Sequence, residues 1–156
     1  MERPASAEMK VLPDQMAPVD SNIVKLAPEA GTPAYRTAPH NIEAEQSVLG
    51  AILVNNEAFY RVSDFLEPKH FYEPIHQLIY ETASNIIRNG KVATPVTLKT
   101  FVPADTDLGG MTVAQYLARL AAEATTIINA KDYGQTIYEL SLRRDLIGIG
   151  VDMVNV

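Results

Sequence analysis

The stretch PHNIEAEQSVLG, residues 39 to 50, marks where an irregular leading segment ends and a folded domain begins. Asn41 is suited to cap a helix with its side-chain oxygen, and Glu43 and Glu45 place negative charge in the positively polarised first turn. The apolar residues that follow share one helical face: Ile42, Val48, Leu49, Ile52 and Leu53. The stretch therefore predicts a capped amphipathic helix whose acids serve the helix dipole and perform no acid/base chemistry.

The segment before this helix has a different composition from the rest of the chain. Residues 1 to 38 contain five of the 10 prolines, and their few apolar residues show no sustained period of a helix or a strand. We therefore expect a disordered N-terminal tail, residues 1–38, that carries no function of its own.

Composition limits the kinds of protein this chain can be. A chain of 156 residues with 47% hydrophobic residues can bury one sizeable core. The net charge of −6 has the wrong sign for strong direct binding of nucleic acid, and the absence of cysteine rules out disulfides and thiolate metal sites. No stretch approaches the roughly 20 apolar residues that cross a bilayer, and no signal peptide opens the chain. These features favour a cytoplasmic protein that does not contact membranes.

Helix-capping residues, prolines and a glycine between residues 53 and 110 predict three further helices. Asn56 should cap the second, which Pro68 stops, and Pro74 should begin the third, which Asn89 and Gly90 end. Thr94 and Pro95 should begin a short fourth helix that Pro103 closes. The apolar residues that these helices are expected to bury are Phe59, Val62, Leu66, Ile75, Leu78, Ile79, Ala83, Ile86, Ile87, Val96, Leu98 and Phe101.

Two more helices follow. Thr112 and Gln115 fit the capping box in which the two side chains satisfy each other's backbone N–H groups, so a fifth helix should begin there. Its buried stripe is expected to be Tyr116, Leu117, Leu120 and Ala121.

The sixth helix should begin at Asn129, and it is unusual because two apolar rows run along it. One row, expected to pack on its own domain, is Tyr133, Ile137, Leu140, Ile147, Val151 and Val154. The second, which we call the partner row, is Tyr138, Leu142, Leu146, Ile149 and Met153. A helix with two apolar surfaces needs a partner for one of them, so the partner row is the candidate subunit or partner interface. The alternative is a helix sunk in the core of a single domain.

The chain stops at Val156 while this pattern is still running. No glycine, proline or cluster of turn residues ends the helix there, although Gly148 and Gly150 weaken its interior. We therefore expect that the sequence is a fragment and that more of the helix follows.

The order of the letters, beyond their physical pattern, resembles one family. PHNIEAEQSVLGAIL is similar to the opening of the N-terminal domain of the bacterial replicative DNA helicase, the DnaB family. The resemblance is collinear from about Pro39 to Ile147. The later residues that carry it are Phe71, His76, Ile79, Tyr80, Gly90, Thr97, Leu98, Gly109, Gly110, Tyr116, Leu117, Leu120, Asn129, Tyr133, Arg143, Arg144, Leu146 and Ile147. One departure is Gly134, which stands where the family commonly has alanine and should loosen the sixth helix by roughly 1 kcal/mol.

This resemblance implies a fold and an organisation. The fold would be all-α: a compact bundle of five to six helices, preceded by the tail and ending in a long helix that starts an incomplete helical hairpin. Residues 39–128 would form the globular helical head. Residues 129–156 would be the truncated first helix of the hairpin that joins subunits in this family.

The resemblance also implies a function. The domain would be the N-terminal collar of a hexameric, ATP-dependent DNA helicase at the replication fork, self-associating as dimers and as three dimers in the ring. It would dock primase and, in some bacteria, a helicase loader. DNA would be contacted through the parent hexamer, and ATP and Mg²⁺ would belong to a separate motor domain. The alternative is a stand-alone phage or plasmid adaptor that binds primase or helicase. A small enzyme is a third and weaker reading, because no nucleophile, base and orienting group fall in a plausible arrangement.

The sequence contains no recognisable motif for catalysis or ligand binding, which favours a domain that acts by binding other proteins. No G-x-x-x-x-G-K-[ST] phosphate loop occurs, so no cofactor is expected in this piece. His40, His70 and His76 lack the close spacing of metal ligands, and His76 is best explained as a helix residue hydrogen-bonded within the fold. Arg143 and Arg144 lie near acids and are expected on a solvated or salt-bridging face. We therefore predict no catalytic, cofactor or metal site.

Overall fold

The computed structural model describes residues 37–124 and 127–155, and within them all regular structure is helical. The six α-helices are α1 (Ile42–Val54), α2 (Glu57–Val62), α3 (Pro74–Arg88), α4 (Pro95–Leu98), α5 (Val113–Ala122) and α6 (Ala130–Val154). Two short 3-10 helices span Pro68–His70 and Ile127–Asn129. The all-α prediction is confirmed, while the predicted disordered tail falls almost wholly outside the described residues. No helix in the described ranges is long and apolar enough to cross a membrane.

Helix α1 lies at the centre of the fold, with α3, α5 and α6 packed around it. The Asn41 side chain accepts a hydrogen bond from the Ala44 N–H at 3.0 Å, which confirms the predicted cap. The predicted apolar face is buried from Val48 onward, whereas Ile42 remains partly exposed. The core comprises Ala44, Val48, Leu49, Ala51, Ile52, Leu53, Ala58, Phe59, Val62, Leu66, Phe71, Ile79, Tyr80, Ala83, Ile86, Ile87, Ala93, Leu98, Val102, Val113, Leu117, Leu120, Ala130 and Ile137.

The start of α2 differs from the prediction. Asn56 makes no capping bond to α2; its side chain instead donates to the carbonyls of Ile52 and Ala93 and accepts from the Ala93 N–H. Asn56 therefore ties the end of α1 to the segment before α4. The predicted stop was also wrong, because α2 ends at Val62 and Pro68 begins a 3-10 helix instead.

Helix α3 follows the sequence closely. Pro74 is its first residue, and Gly90, with φ of 78°, adopts the left-handed conformation that ends it. In α4, Thr94 and Thr97 form a reciprocal capping box, and Leu98 is fully buried. Val96 and Phe101 were expected in the core, but they are 66% and 64% exposed. A four-residue helix is too short for periodicity to define its buried face.

Helix α5 confirms its predicted start. Thr112 accepts from the Gln115 N–H at 3.1 Å, and the Gln115 side chain accepts from the Thr112 N–H at 3.0 Å. Its buried face contains Val113, Leu117 and Leu120 and packs on α1. The site of close approach is Gly50, where a Cβ would overlap the carbonyl oxygen of Leu120.

Candidate interface on the last helix

The N-terminal part of α6 lies against helices α1 to α5 and their connections, which we call the head. Gly134 is buried, and a Cβ built on it would lie 2.7 Å from the Cγ1 of Val62. The glycine expected to loosen this helix thus allows α6 to approach α2 closely. Ile137 and Ser141 continue the same buried face at spacings of three and four.

Two further side chains anchor α6. The ring of Tyr138 packs edge-on against His70, with centroids 4.9 Å apart, and against Phe65 at 6.1 Å. The guanidinium of Arg144 donates to the carbonyls of Pro39 at 2.8 Å and His70 at 2.7 Å, and it also lies over the Tyr72 ring. Arg144 was expected on a solvated or salt-bridging face, but it is half-buried and binds backbone carbonyls. We call Ala130–Arg144 the packed half of α6.

Beyond Arg144 the helix is exposed on every side. All residues from Asp145 to Val154, which we call the exposed end, are solvent-accessible, and at 1.5 Å per residue they extend for about 15 Å. The large apolar side chains exposed on this stretch are Leu146, Ile147, Ile149, Val151, Met153 and Val154. An apolar helical surface of this kind is a candidate for a protein interface.

The residues of the predicted partner row therefore fall in two environments. Tyr138 is partly buried against the head, so it positions the helix. Leu142 is 44% exposed, and Leu146, Ile149 and Met153 are more exposed still. The row that was expected to pack on its own domain does so at Tyr133 and Ile137, and Leu140 is partly exposed. Its last three members, Ile147, Val151 and Val154, are exposed.

A cluster of hydrogen-bonded polar side chains lies inside the head. The carboxylate of Glu45, only 1% exposed, accepts from the Tyr72 N–H at 2.6 Å and from Nδ1 of His76 at 2.7 Å. The Nε2 of His76 lies 2.5 Å from the Tyr116 hydroxyl, whose pKa is raised by burial. The prediction that His76 is hydrogen-bonded within the fold is confirmed.

This cluster stabilises the start of α3. Helix α3 has no local side-chain cap, and Glu45 also lies 3.4 Å from the Glu73 N–H, so its carboxylate serves the N-terminus of α3 from a different helix. The expectation that Glu45 serves the dipole of its own helix was therefore incomplete. Within residues 37–124 and 127–155, no three His, Asp or Glu side chains gather in a way that could hold a metal ion.

The sequence of this domain is similar to a known protein family. Residues 37–139 match the model of the DnaB-like helicase N-terminal domain. The chain belongs to this family. It is 46% identical over 127 residues to the replicative DNA helicase DnaB of Rickettsia felis, and 46% identical over 136 residues to that of Rickettsia bellii. These alignments cover 81% and 87% of this chain but only 26% and 27% of the relatives, so the chain spans about a quarter of their length.

Solved structures of DnaB N-terminal domains share the fold. The crystal structure of the domain from Mycobacterium tuberculosis superposes with a TM-score of 0.68 at 32% identity, covering 76% of this chain and 85% of that one. The domain from Helicobacter pylori, described together with its interactions with primase, gives 0.61 at 25% identity, covering 72% and 87%. The all-helical prediction and the family resemblance are therefore both confirmed.

Arg144 and Glu45 are the structural residues whose roles the sequence did not show. Glu45 carried a readable signal, because it lies three and four residues before Val48 and Leu49 and so shares their buried face. Its partner His76 is 31 residues away, which no local pattern reveals. Arg144 had a weaker signal, as the one charged residue that interrupts an apolar row.

Proposed function

We propose that this chain is the N-terminal collar of a hexameric, ATP-dependent replicative DNA helicase acting in the cytoplasm, and that it assembles subunits through the exposed end of α6. The observation that carries the proposal is this apolar end, which the head leaves uncovered. Membership in the DnaB family and the replicative DNA helicases among the relatives support the cellular role.

Two helix-breaking residues strengthen the case that the exposed end has a partner. Gly148 and Gly150 each cost roughly 1 kcal/mol of helix stability relative to alanine, and nothing lies within 4 Å of the position of a Cβ on either. Burial of Leu146, Ile149 and Met153 against a partner would offset that cost, at roughly 25 cal/mol for each Å² of apolar surface removed from water.

Self-association is tested by measuring mass in solution over a range of concentrations. The wild-type chain should associate reversibly, and Leu146→Asp should remain a monomer with almost unchanged helical content, because Leu146 is 67% exposed. Gln135→Asp, an exposed polar position on the packed half, is the matched control and should associate like the wild type. A monomeric wild type, or association of Leu146→Asp at wild-type strength, would contradict the proposal.

We further propose that the collar docks primase, and a helicase loader where the cell has one. The interactions with primase described for the Helicobacter pylori domain support this step. Titration of the chain with the primase of the same cell should give saturable binding. A titration without saturable binding would count against the docking role.

The motor activity is proposed for the longer protein. The gene should continue past Val156 into a segment with a G-x-x-x-x-G-K-[ST] loop, which would hold ATP and Mg²⁺. A reading frame without such a loop would favour an adaptor. The parent hexamer, and not this acidic chain alone, is expected to carry most of the DNA contact.

A further inference from the structure

A second apolar surface lies on the head, between the C-terminal half of α3 and the segment around α4. The groove there has a volume of about 490 Å³. Its lining residues are Thr82, Asn85, Ile86, Asn89, Lys91, Val92, Thr97 and Phe101. Val92 and Phe101 are 65% and 64% exposed, so no described part of the chain covers them. We call this surface the α3–α4 groove.

Hydrogen bonds hold both walls of the groove in place. The N–H groups of Gly90 and Lys91 donate to carbonyls in the last turn of α3 at 2.9 and 3.0 Å, the paired bonds of a Schellman motif. Ala93 is held on both sides by the Asn56 side chain, which bonds its N–H and its carbonyl at 2.9 Å each. Val92 lies between these fixed residues, and yet its side chain is exposed to solvent. A partner would therefore meet a preformed apolar surface and would lose little affinity to the ordering of this chain.

Charge distinguishes this groove from the rest of the chain. Residues 82 to 104 contain three cations and no acid, whereas the remainder of residues 37–155 holds six cations and fourteen acids. Arg88 lies over the buried Phe59 ring, which leaves two cations to the groove. Lys91 lines it, and Lys99 is exposed between two of its lining residues in the sequence. An acidic chain therefore presents a local positive, apolar surface, which suits an acidic, apolar partner.

The surroundings of the groove favour a helical partner. The described part of the chain has only helical regular structure, so it offers an extended peptide no strand edge to pair with. A helix satisfies its own backbone hydrogen bonds and needs only an apolar row that recurs at spacings of three and four. We propose that the α3–α4 groove binds an acidic amphipathic helix of a partner protein. The apolar row of that helix lies on Val92 and Phe101, and its carboxylates lie beside Lys91 and Lys99.

Nucleic acid fits the same surface less well. Two lysines neutralise few phosphates, and the chain as a whole carries a net charge of −6, which opposes a polyanion. Phe101 is the one aromatic ring among the lining residues, so the groove offers no row of rings on which successive bases could stack. An acidic amphipathic helix uses both the lysines and the apolar floor.

Titration with a model helix tests this proposal directly. The probe is a fluorescent synthetic peptide of about 15 residues, with leucines at spacings of three and four and glutamates beside them. Its anisotropy should rise to saturation as this chain is added, and salt should weaken the binding because the lysines contribute through their charge. A peptide of the same composition, with the leucines spread around the helix, is the control and should bind at least about tenfold more weakly.

Substitutions in the groove locate the binding. Phe101→Glu and Lys91→Glu should each weaken binding of the peptide at least about tenfold while helical content stays unchanged, because both side chains are exposed. Lys69→Glu and Leu146→Asp change an exposed lysine and an exposed apolar residue outside the groove, so both should bind the peptide like the wild type. The double reversal Lys91→Glu with Lys99→Glu should instead prefer a peptide in which lysines replace the glutamates, a result that loss of folding cannot produce.

Other occupants of the groove would give different results. Absence of saturable binding by the wild type would overturn the proposal, as would equal binding by the wild type and Lys91→Glu. Tighter binding of an oligothymidylate of about 15 nucleotides, lost in Lys91→Glu, would assign the groove to nucleic acid instead. Loss of self-association in Phe101→Glu, with no competition from the peptide, would assign it to a second copy of the chain.

Discussion

The two halves of α6 differ in a way that their composition does not suggest. The exposed end holds six large apolar residues in the ten positions from Asp145 to Val154, and yet the head covers none of them. The packed half is more polar, and it is the part anchored by Gly134, Tyr138 and Arg144. The head therefore buries the half that fits its surface, and within the described residues the more apolar half stays uncovered. Matched substitutions in the head and in the exposed end should therefore have different effects.

The largest effect is expected at the buried carboxylate of the head. Glu45→Ala leaves the Tyr72 N–H and the His76 Nδ1 without their acceptor in a buried site. Because each buried donor left without an acceptor costs roughly 1–3 kcal/mol, the substitution should lower the free energy of unfolding by about 2–6 kcal/mol, measured by urea denaturation.

Glu43→Ala is the matched control for this change. Glu43 lies two residues earlier in the same first turn but is exposed, so its loss should cost less than about 1 kcal/mol. Equal effects of the two substitutions would mean that the carboxylate network contributes no more than a surface acid near a helix end.

The sequence predicts a side chain's role correctly where its hydrogen-bond partner is close in the chain. The caps by Asn41 and by Thr112 with Gln115 join atoms three residues apart, so a short pattern contains both partners. The prediction failed for Asn56, whose side chain binds Ala93, 37 residues away. The same reason hid the link between Glu45 and His76.

For α6, the sequence predicted the candidate interface but not its limits. Two apolar rows were visible, but periodicity cannot tell how far along a helix the neighbouring head extends. That limit is set by Arg144, which reaches carbonyls 105 and 74 residues away. Tyr138 was therefore assigned to the partner row, although its ring packs on the head.

The next largest effects are expected from Gly50→Ala in the head and Gly148→Ala in the exposed end. The two substitutions should change stability in opposite directions. At Gly50 an added Cβ would overlap the Leu120 carbonyl and push α5 away from α1, which should cost about 1–3 kcal/mol of stability. At Gly148 there is open space, so alanine should stabilise the exposed end by up to about 1 kcal/mol.

These two outcomes need different measurements. Urea denaturation reports the loss at Gly50, whereas slower amide hydrogen exchange at residues 146–154 reports the gain at Gly148. Destabilisation by Gly148→Ala would show that a partner, such as a second copy, approaches this glycine closely in solution, and repeating the exchange measurement at high dilution would remove that contribution.

The smallest effect is expected from the titration of His70, which lies where α6 meets the head. Burial lowers the pKa of this imidazole, and its Nδ1 accepts from the Glu67 N–H at 2.9 Å, a bond that protonation of Nδ1 would break. Because the unfolded chain keeps the ordinary pKa of about 6.5, it binds more protons than the folded chain below that pH. The contribution of His70 to the free energy of unfolding should therefore be complete above about pH 7. It should decline as the pH falls from 6.5 towards the lower pKa of the folded chain. Urea denaturation between pH 5 and 7.5 should show this decline in the wild type and a shallower one in His70→Asn, since asparagine does not titrate. Parallel curves would mean that His70 gains its proton equally in the folded and unfolded chain, and that the junction between α6 and the head does not depend on its charge.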